Sequence, residues 1–181
     1  MAWAPEAHAL AEDRVRPAPA KYPGSFETGT PSYEGCAGIT AAIDYLAWIG
    51  TSMAGAADRP AAVRAAMDML FAYEKTLGAH LIDGLTSLAG VKVQGITDPA
   101  AFDRRVPTVA FTHERVASAT IAEQLAAENI FAWSGHNYAV EAARALGIYE
   151  SGGAVRLGPV HYNSIAEIDA TLDALGRILG T

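Results

Sequence analysis

A chain of 181 residues with 51% hydrophobic and 18% charged residues can bury one real core, which excludes disorder as its main state. Thirteen basic against twenty acidic residues give a net charge of -7, which opposes non-specific binding to nucleic acid or to an anionic membrane surface and leaves small molecules or proteins as partners. A single cysteine, Cys36, excludes an internal disulfide, and no cysteine and histidine cluster has structural zinc spacing. Residues 1–20 lack a signal-peptide core and no apolar run spans a bilayer, so the chain reads as cytoplasmic, without metal and without membrane insertion.

Pro17, Pro19, Pro23 and Gly24 lie close together, which suits an extended connector, so residues 1–24 are expected to form an arm. Ile39, Ala42, Ile43, Leu46 and Ile49 then follow helical spacing and predict a helix ending before Gly50. Asp58 and Pro60 suit the cap and first turn of a longer helix, whose stripe of Val63, Met67, Leu70, Leu77, Leu81, Leu85 and Leu88 continues to Gly90. From Val91 the texture changes. Short β-rich runs over 91–96, 106–112, 130–134 and 154–160 predict four strands, separated by helical patterns at about 118–128 and 138–146. Ile165, Ile168, Leu172, Leu175 and Leu179 mark a last helix, opened by Ser164 and Glu167 as a capping box. The expected architecture is α/β: a helical segment over 25–90, then a compact α+β unit over 91–181 in which one sheet packs against helices.

Three segments could carry chemistry. Thr28-Gly29-Thr30-Pro31 offers hydroxyls and amides ahead of a helix, which can hold an anion, although an ordinary helix-entry turn has the same composition. Arg156 sits inside a predicted strand, where a guanidinium either faces a ligand carboxylate in bidentate geometry or points to solvent from an edge strand. Gly135-His136-Asn137-Tyr138 links a strand to a helix, a place where loops present functional groups or simply connect elements.

In their order, these pieces resemble the class V aminotransferase family and in particular its cysteine desulfurase-like branch. Members carry an F-E-x-G-T-P segment, here Phe26 to Pro31, followed by a glycine-containing helix like Gly35-Cys36-Ala37-Gly38. They also carry a G-H-x-x-A loop, here Gly135-His136-Asn137-Tyr138-Ala139, and an arginine-containing strand running into Tyr162-Asn163-Ser164-Ile165-Ala166-Glu167-Ile168-Asp169. The resemblance covers nearly all of residues 25–180. It implies a fold type I pyridoxal-phosphate (PLP) enzyme and a homodimer, of which this chain is the carboxyl-terminal part: the small α+β domain preceded by two helices from the end of the large domain. It further implies that Thr30, beside Gly29, reaches the PLP phosphate of a neighbouring subunit. Arg156 would hold the α-carboxylate of an amino-acid substrate, with His136 and Tyr138 on the substrate side of the pocket.

Two departures follow from the same resemblance. Desulfurases of this type place a nucleophilic cysteine just before the alanine of the G-H-x-x-A loop, where this chain has Tyr138, which cannot accept sulfur as a persulfide. Cys36, in the helix after the phosphate-facing turn, is expected to pack as a small apolar residue. The family's Schiff-base lysine lies upstream of the F-E-x-G-T-P segment, and Lys21, Lys75 and Lys92 do not occupy such a turn. The chain is therefore expected to be inactive alone and to need a lysine-bearing amino-terminal half. The alternatives are a non-catalytic dimerisation or binding module and a free-standing carboxylate binder using Arg156.

Overall fold

The protein is described by a computed structural model that covers Lys21, Gly24 and residues 29–180. The rest of the expected arm over 1–24, and Phe26 to Thr28 of the motif, lie outside the described residues.

Helix α1 runs Tyr33–Ala54, capped by Ser32, whose hydroxyl accepts from the Gly35 N–H at 3.2 Å. It passes straight through Gly50, where the sequence predicted its end, and stops at Gly55 with φ 64°. Gly50 is a packing glycine: it is buried against Ala62 of helix α2, Arg59–Ser87, whose cap is Asp58. Asp44 and Arg59 form an ion pair across the two helices. Cys36 is exposed rather than packed, a correction to the expectation, because it lies in the first turns of α1, where residues 31–42 are all exposed.

The strands are β1 (Val91–Gln94), β2 (Val109–His113), β3 (Trp133–Gly135) and β4 (Ala154–Leu157), joined in an antiparallel sheet of order β1-β2-β4-β3. A 3₁₀ turn, Pro99–Arg104, which the apolar pattern did not foretell, leads into β2. Strand β2 begins later than predicted because Arg105 takes the local carbonyls: its guanidinium donates to Thr108 O at 3.0 Å and to Ile96 O, so residues 105–108 join no ladder. Helices α3 (Ser118–Ala127), α4 (Val140–Ala145) and α5 (Ile165–Leu179) complete the chain. The capping box at Ser164 and Glu167 is present as expected, and the family of short strands and helices is α/β with a small antiparallel sheet.

One sheet face is covered. Val109, Phe111, Val155 and Leu157 meet Leu77, Leu81 and Leu85 of α2, Ile121 and Leu125 of α3, and Ile168 and Leu175 of α5. Each such side chain removed from water contributes about 1.5–3 kcal/mol. Alternation then obliges Ala110, Thr112 and Arg156 to stand on the other face, which none of the described helices covers. Among the described residues, no helix is long and apolar enough to cross a membrane, and no group of three or more His, Cys, Asp or Glu is placed to hold a metal.

Candidate functional site

Arg156 lies on a central strand, so the edge-strand reading of it fails. Its register partners are Ala110 on β2 and Trp133 on β3, and the row continues to Gln94, which pairs with Ala110. The guanidinium is thus set in the middle of the uncovered face between a small residue and an indole that is 58% exposed. It forms no ion pair or hydrogen bond with another described residue. A fork of donors held on a rigid strand and left unspent can accept a planar carboxylate by two parallel hydrogen bonds.

The loop between β3 and α4 is bent sharply. Gly135 has φ 120°, and Asn137 and Tyr138 both adopt left-handed backbone, φ 51° and 60°. Ala139 N–H donates to His136 O at 2.8 Å, closing a turn with positive φ at both central positions. This is why α4 starts at Val140 and not at 138. Two contacts hold the turn from below. Gly153 presses on Gly135 so closely that a β-carbon on it would lie 2.2 Å from the Gly135 carbonyl, and Ser118 Oγ, buried, donates to Gly153 O at 2.9 Å. The His136 ring rests on Tyr149 with centroids 5.9 Å apart, and the Arg144 guanidinium lies over the Tyr149 ring, 4.9 Å from its centroid. Tyr138 meets His136 edge-on at 6.5 Å and is 93% exposed. The buried Asn137 Oδ1 has no donor among the described residues. A tyrosine held left-handed and pushed into solvent is a costly arrangement, and such outliers concentrate where side-chain placement matters.

Gly29 and Thr30 are exposed just ahead of the α1 cap, and Thr30 shares no hydrogen bond with Arg156 or with the 135–139 loop. The structure therefore brings His136 and Tyr138 together and leaves Thr30 and Arg156 on separate elements. The lysines are placed as surface groups: Lys75 on α2 forms an ion pair with Asp103, Lys92 is exposed on β1 and Lys21 is exposed. The cleft of about 10 Å³ beside Lys75 is too small to admit a ring.

Sequence reasoning missed two features. A cavity of about 500 Å³ opens on the helix side of the sheet beside Leu157, with Phe131 and Tyr162 exposed at 87% and 77% among its lining residues; neither Thr30 nor Arg156 lines it. Tyr45, Glu74 and His161 also converge, from α1, α2 and the loop after β4. No spacing could have announced the second, since its members are 87 and 116 positions apart.

The family model for aminotransferase class-V matches residues 14–171. This chain belongs to that family. Among curated relatives, it is 31% identical over 156 residues to an uncharacterized protein of Mycobacterium tuberculosis, covering 86% of this chain and 37% of the relative. It is also 31% identical over 162 residues to a probable cysteine desulfurase of Pseudomonas putida, covering 90% of this chain and 33% of the relative. Among solved structures, the apo cysteine desulfurase of Thermococcus onnurineus superposes with a TM-score of 0.71 at 25% identity, over 87% of this chain and 34% of that one. The cysteine desulfurase CsdA of Escherichia coli gives a TM-score of 0.65 at 23% identity and so shares the fold. The chain thus spans about a third of the length of these relatives, and matches the carboxyl-terminal part of the solved cysteine desulfurase fold.

Proposed function

We propose that this chain supplies one wall of a PLP-dependent site for an amino acid. Arg156 receives the α-carboxylate, His136 and Tyr138 border the substrate side chain, and Gly29 and Thr30 meet the cofactor phosphate in the site of a neighbouring subunit. The observation that carries the reading is Arg156 itself: a guanidinium on a central strand, unpaired among the described residues, in the middle of the sheet face that none of the described helices covers. The cofactor when bound supplies electron withdrawal from the substrate's α-carbon. The chain's own contribution is to orient: a carboxylate gripped by a strand-borne fork fixes which bond stands across the ring.

The described residues fit two edges of such a site but not its centre. An amine that attacks the cofactor must be neutral and sheltered, whereas Lys75 is committed to Asp103 and Lys92 is exposed. The lysine, the ring-stacking group and the partner of the pyridine nitrogen are accordingly assigned to a segment outside this sequence, in the same assembly. Tyr138 at the tip of the 135–139 turn makes persulfide chemistry at that position impossible, which favours an amino-acid-transforming reaction other than desulfuration. A second reading, a dimerisation or binding module derived from this fold, is favoured by the apolar exposure of α1, where Ile39 is 62% and Met53 71% exposed.

The purified chain is incubated with PLP, reduced with borohydride, and mapped for pyridoxyl-lysine by mass spectrometry. Scattered, partial labelling is the expected result. Near-stoichiometric labelling of Lys21, Lys75 or Lys92, with an amino-acid-dependent spectral change, would show that the chain is a complete enzyme. Adding the amino-terminal part of a class V relative should produce single-lysine labelling on that part. In that complex Arg156→Ala should weaken amino-acid binding more than cofactor binding; equal losses, or no complex, would favour the binding-module reading.

A further inference from the structure

Arg156 has two neighbours in its row of the sheet, and they are unlike. Ala110 on β2 offers a methyl group, whereas Trp133 on the edge strand β3 offers an indole. Directly opposed residues of an antiparallel pair stand on one face with β-carbons about 4.5–5.5 Å apart, so the guanidinium and the indole rise side by side from the face that none of the described helices covers. An arginine beside a tryptophan commonly lies flat on its ring. Arg156 does not: among the described residues the cation that lies over a ring is Arg144, on Tyr149, and the Trp133 ring pairs with no other aromatic group. The indole is more than half exposed. An unstacked aromatic surface therefore stands beside a fork of donors that is unpaired among the described residues.

The surroundings narrow what can be received there. Two positions beyond Trp133, on the same side of β3, comes Gly135, and a β-carbon built on it would meet nothing within 4 Å. Past that gap is the turn that carries His136 and Tyr138, two rings set edge-on at 6.5 Å. Trp133 and the turn thus bound a stretch of strand that bears no side chain. Alternation gives the same face Lys92, Gln94, Ala110 and Thr112, and none of the strand residues on it is acidic. A cationic side chain would meet no counter-charge from the strands and would lie close to Arg156. An acidic one would compete with the α-carboxylate for the same guanidinium, and a small one would leave the indole in water. A flat, uncharged ring meets none of these objections.

We propose that Trp133 is a specificity-determining residue: it takes the side chain of the amino acid whose α-carboxylate Arg156 holds, and so selects aromatic amino acids over small and charged ones. This rests on the reading of Arg156 given above and names the substrate class of that same site. The dimensions agree. The step from one strand to the next is about 4.7–4.9 Å, and rings pair with centroids about 4.5–7 Å apart. A ligand anchored on the Arg156 fork therefore needs only its α- and β-carbons to bring a ring onto the indole. Ring pairing and the apolar area it covers together correspond to a preference of about tenfold.

The test uses the full chain with its three tryptophans replaced biosynthetically by 5-fluorotryptophan, and follows the fluorine resonance of Trp133, assigned by its loss in Trp133→Phe. Phenylalanine, alanine, lysine and glutamate are titrated in turn. Phenylalanine should shift the resonance saturably in the millimolar range and bind about tenfold more tightly than the other three. The affinities of variants are read on the ligand by saturation-transfer resonance. Trp133→Thr, which keeps a strand-forming residue and removes the ring, should lower phenylalanine to the affinity of alanine and leave alanine unchanged, whereas Trp133→Phe should keep most of the preference. Arg156→Ala should abolish binding of every amino acid. If phenylalanine and alanine bind the parent alike, or if Trp133→Thr keeps the preference, Trp133 selects nothing and the inference fails while Arg156 keeps its role. If Arg156→Ala binds phenylalanine as the parent does, or if the parent binds no amino acid, the reading of Arg156 fails and the inference falls with it.

Discussion

Gly50 of α1 lies so close to Ala62 of α2 that a β-carbon on it would stand 1.8 Å from the Ala62 carbonyl oxygen. Backbone cannot yield as a flexible side chain can, so Gly50→Ala must push the two helices apart. A loss of about 3 kcal/mol or more in urea unfolding is expected, together with faster amide exchange along α1. Gly38→Ala, where a β-carbon meets nothing within 4 Å, should be neutral or slightly stabilising and serves as its control.

The turn carrying Tyr138 offers a pair of opposite effects. Tyr138→Gly relieves a left-handed backbone at φ 60° and should raise stability by about 1 kcal/mol. Gly153→Ala would drive a methyl group into the Gly135 carbonyl at a position whose φ is 79°, and should cost about 3 kcal/mol. Thermal unfolding of the two variants checks both signs. If Tyr138→Gly is destabilising, the strain reading of this turn is wrong.

Acid stability should carry the signature of Glu167. Its carboxyl is held below the ordinary glutamate range, first by the Ser164 backbone N–H and then by the Ser164 hydroxyl, against a smaller opposing effect of desolvation. A depressed folded value means that the contribution is fully present above the unfolded glutamate value and is lost as pH falls through the lowered folded value. Glu167→Gln keeps an acceptor for Ser164 without titrating. Its unfolding free energy should therefore vary less than the parent's from the ordinary glutamate value downward, and the two curves should run parallel at neutral pH.

The apolar exposure of α1 and α2 predicts association of the isolated chain. Ile39, Trp48, Met53, Met67 and Phe71 are all exposed, and α1 has only Glu34 and Asp44 as charges over its 22 residues. A helix apolar on every side seeks burial. Sedimentation velocity should show mass rising with concentration, and Ile39→Glu with Met53→Lys should abolish the rise. A strictly monomeric parent across concentrations would remove this support for a missing neighbour.

The elements were legible in the sequence because their signals are local. Asp58 and Ser164 cap helices where short polar side chains precede apolar stripes, and the strands near Val91, Val109, Trp133 and Ala154 declare themselves by β-rich runs between turn residues. The order of motifs from Gly29-Thr30 to Arg156 also carried the family. Sequence alone misplaced what depends on neighbours distant in the chain. It took Gly50 for a helix end because a glycine after an apolar run commonly stops a helix, and only the approach of Ala62 shows that the missing side chain makes room for another backbone. It expected Cys36 to be packed, since a small apolar residue in a helix usually is, but residues 31–42 at the start of α1 are all exposed. Strand pairing put Arg156 on a central strand beside Trp133, and long-range packing brought Tyr45, Glu74 and His161 together. The physical reason is the range of the forces: capping and periodicity act within a few residues, whereas close backbone approach, cross-strand register and the convergence of polar side chains exist only once the core formed by α2, α3, α5 and one face of the sheet has fixed where each element lies.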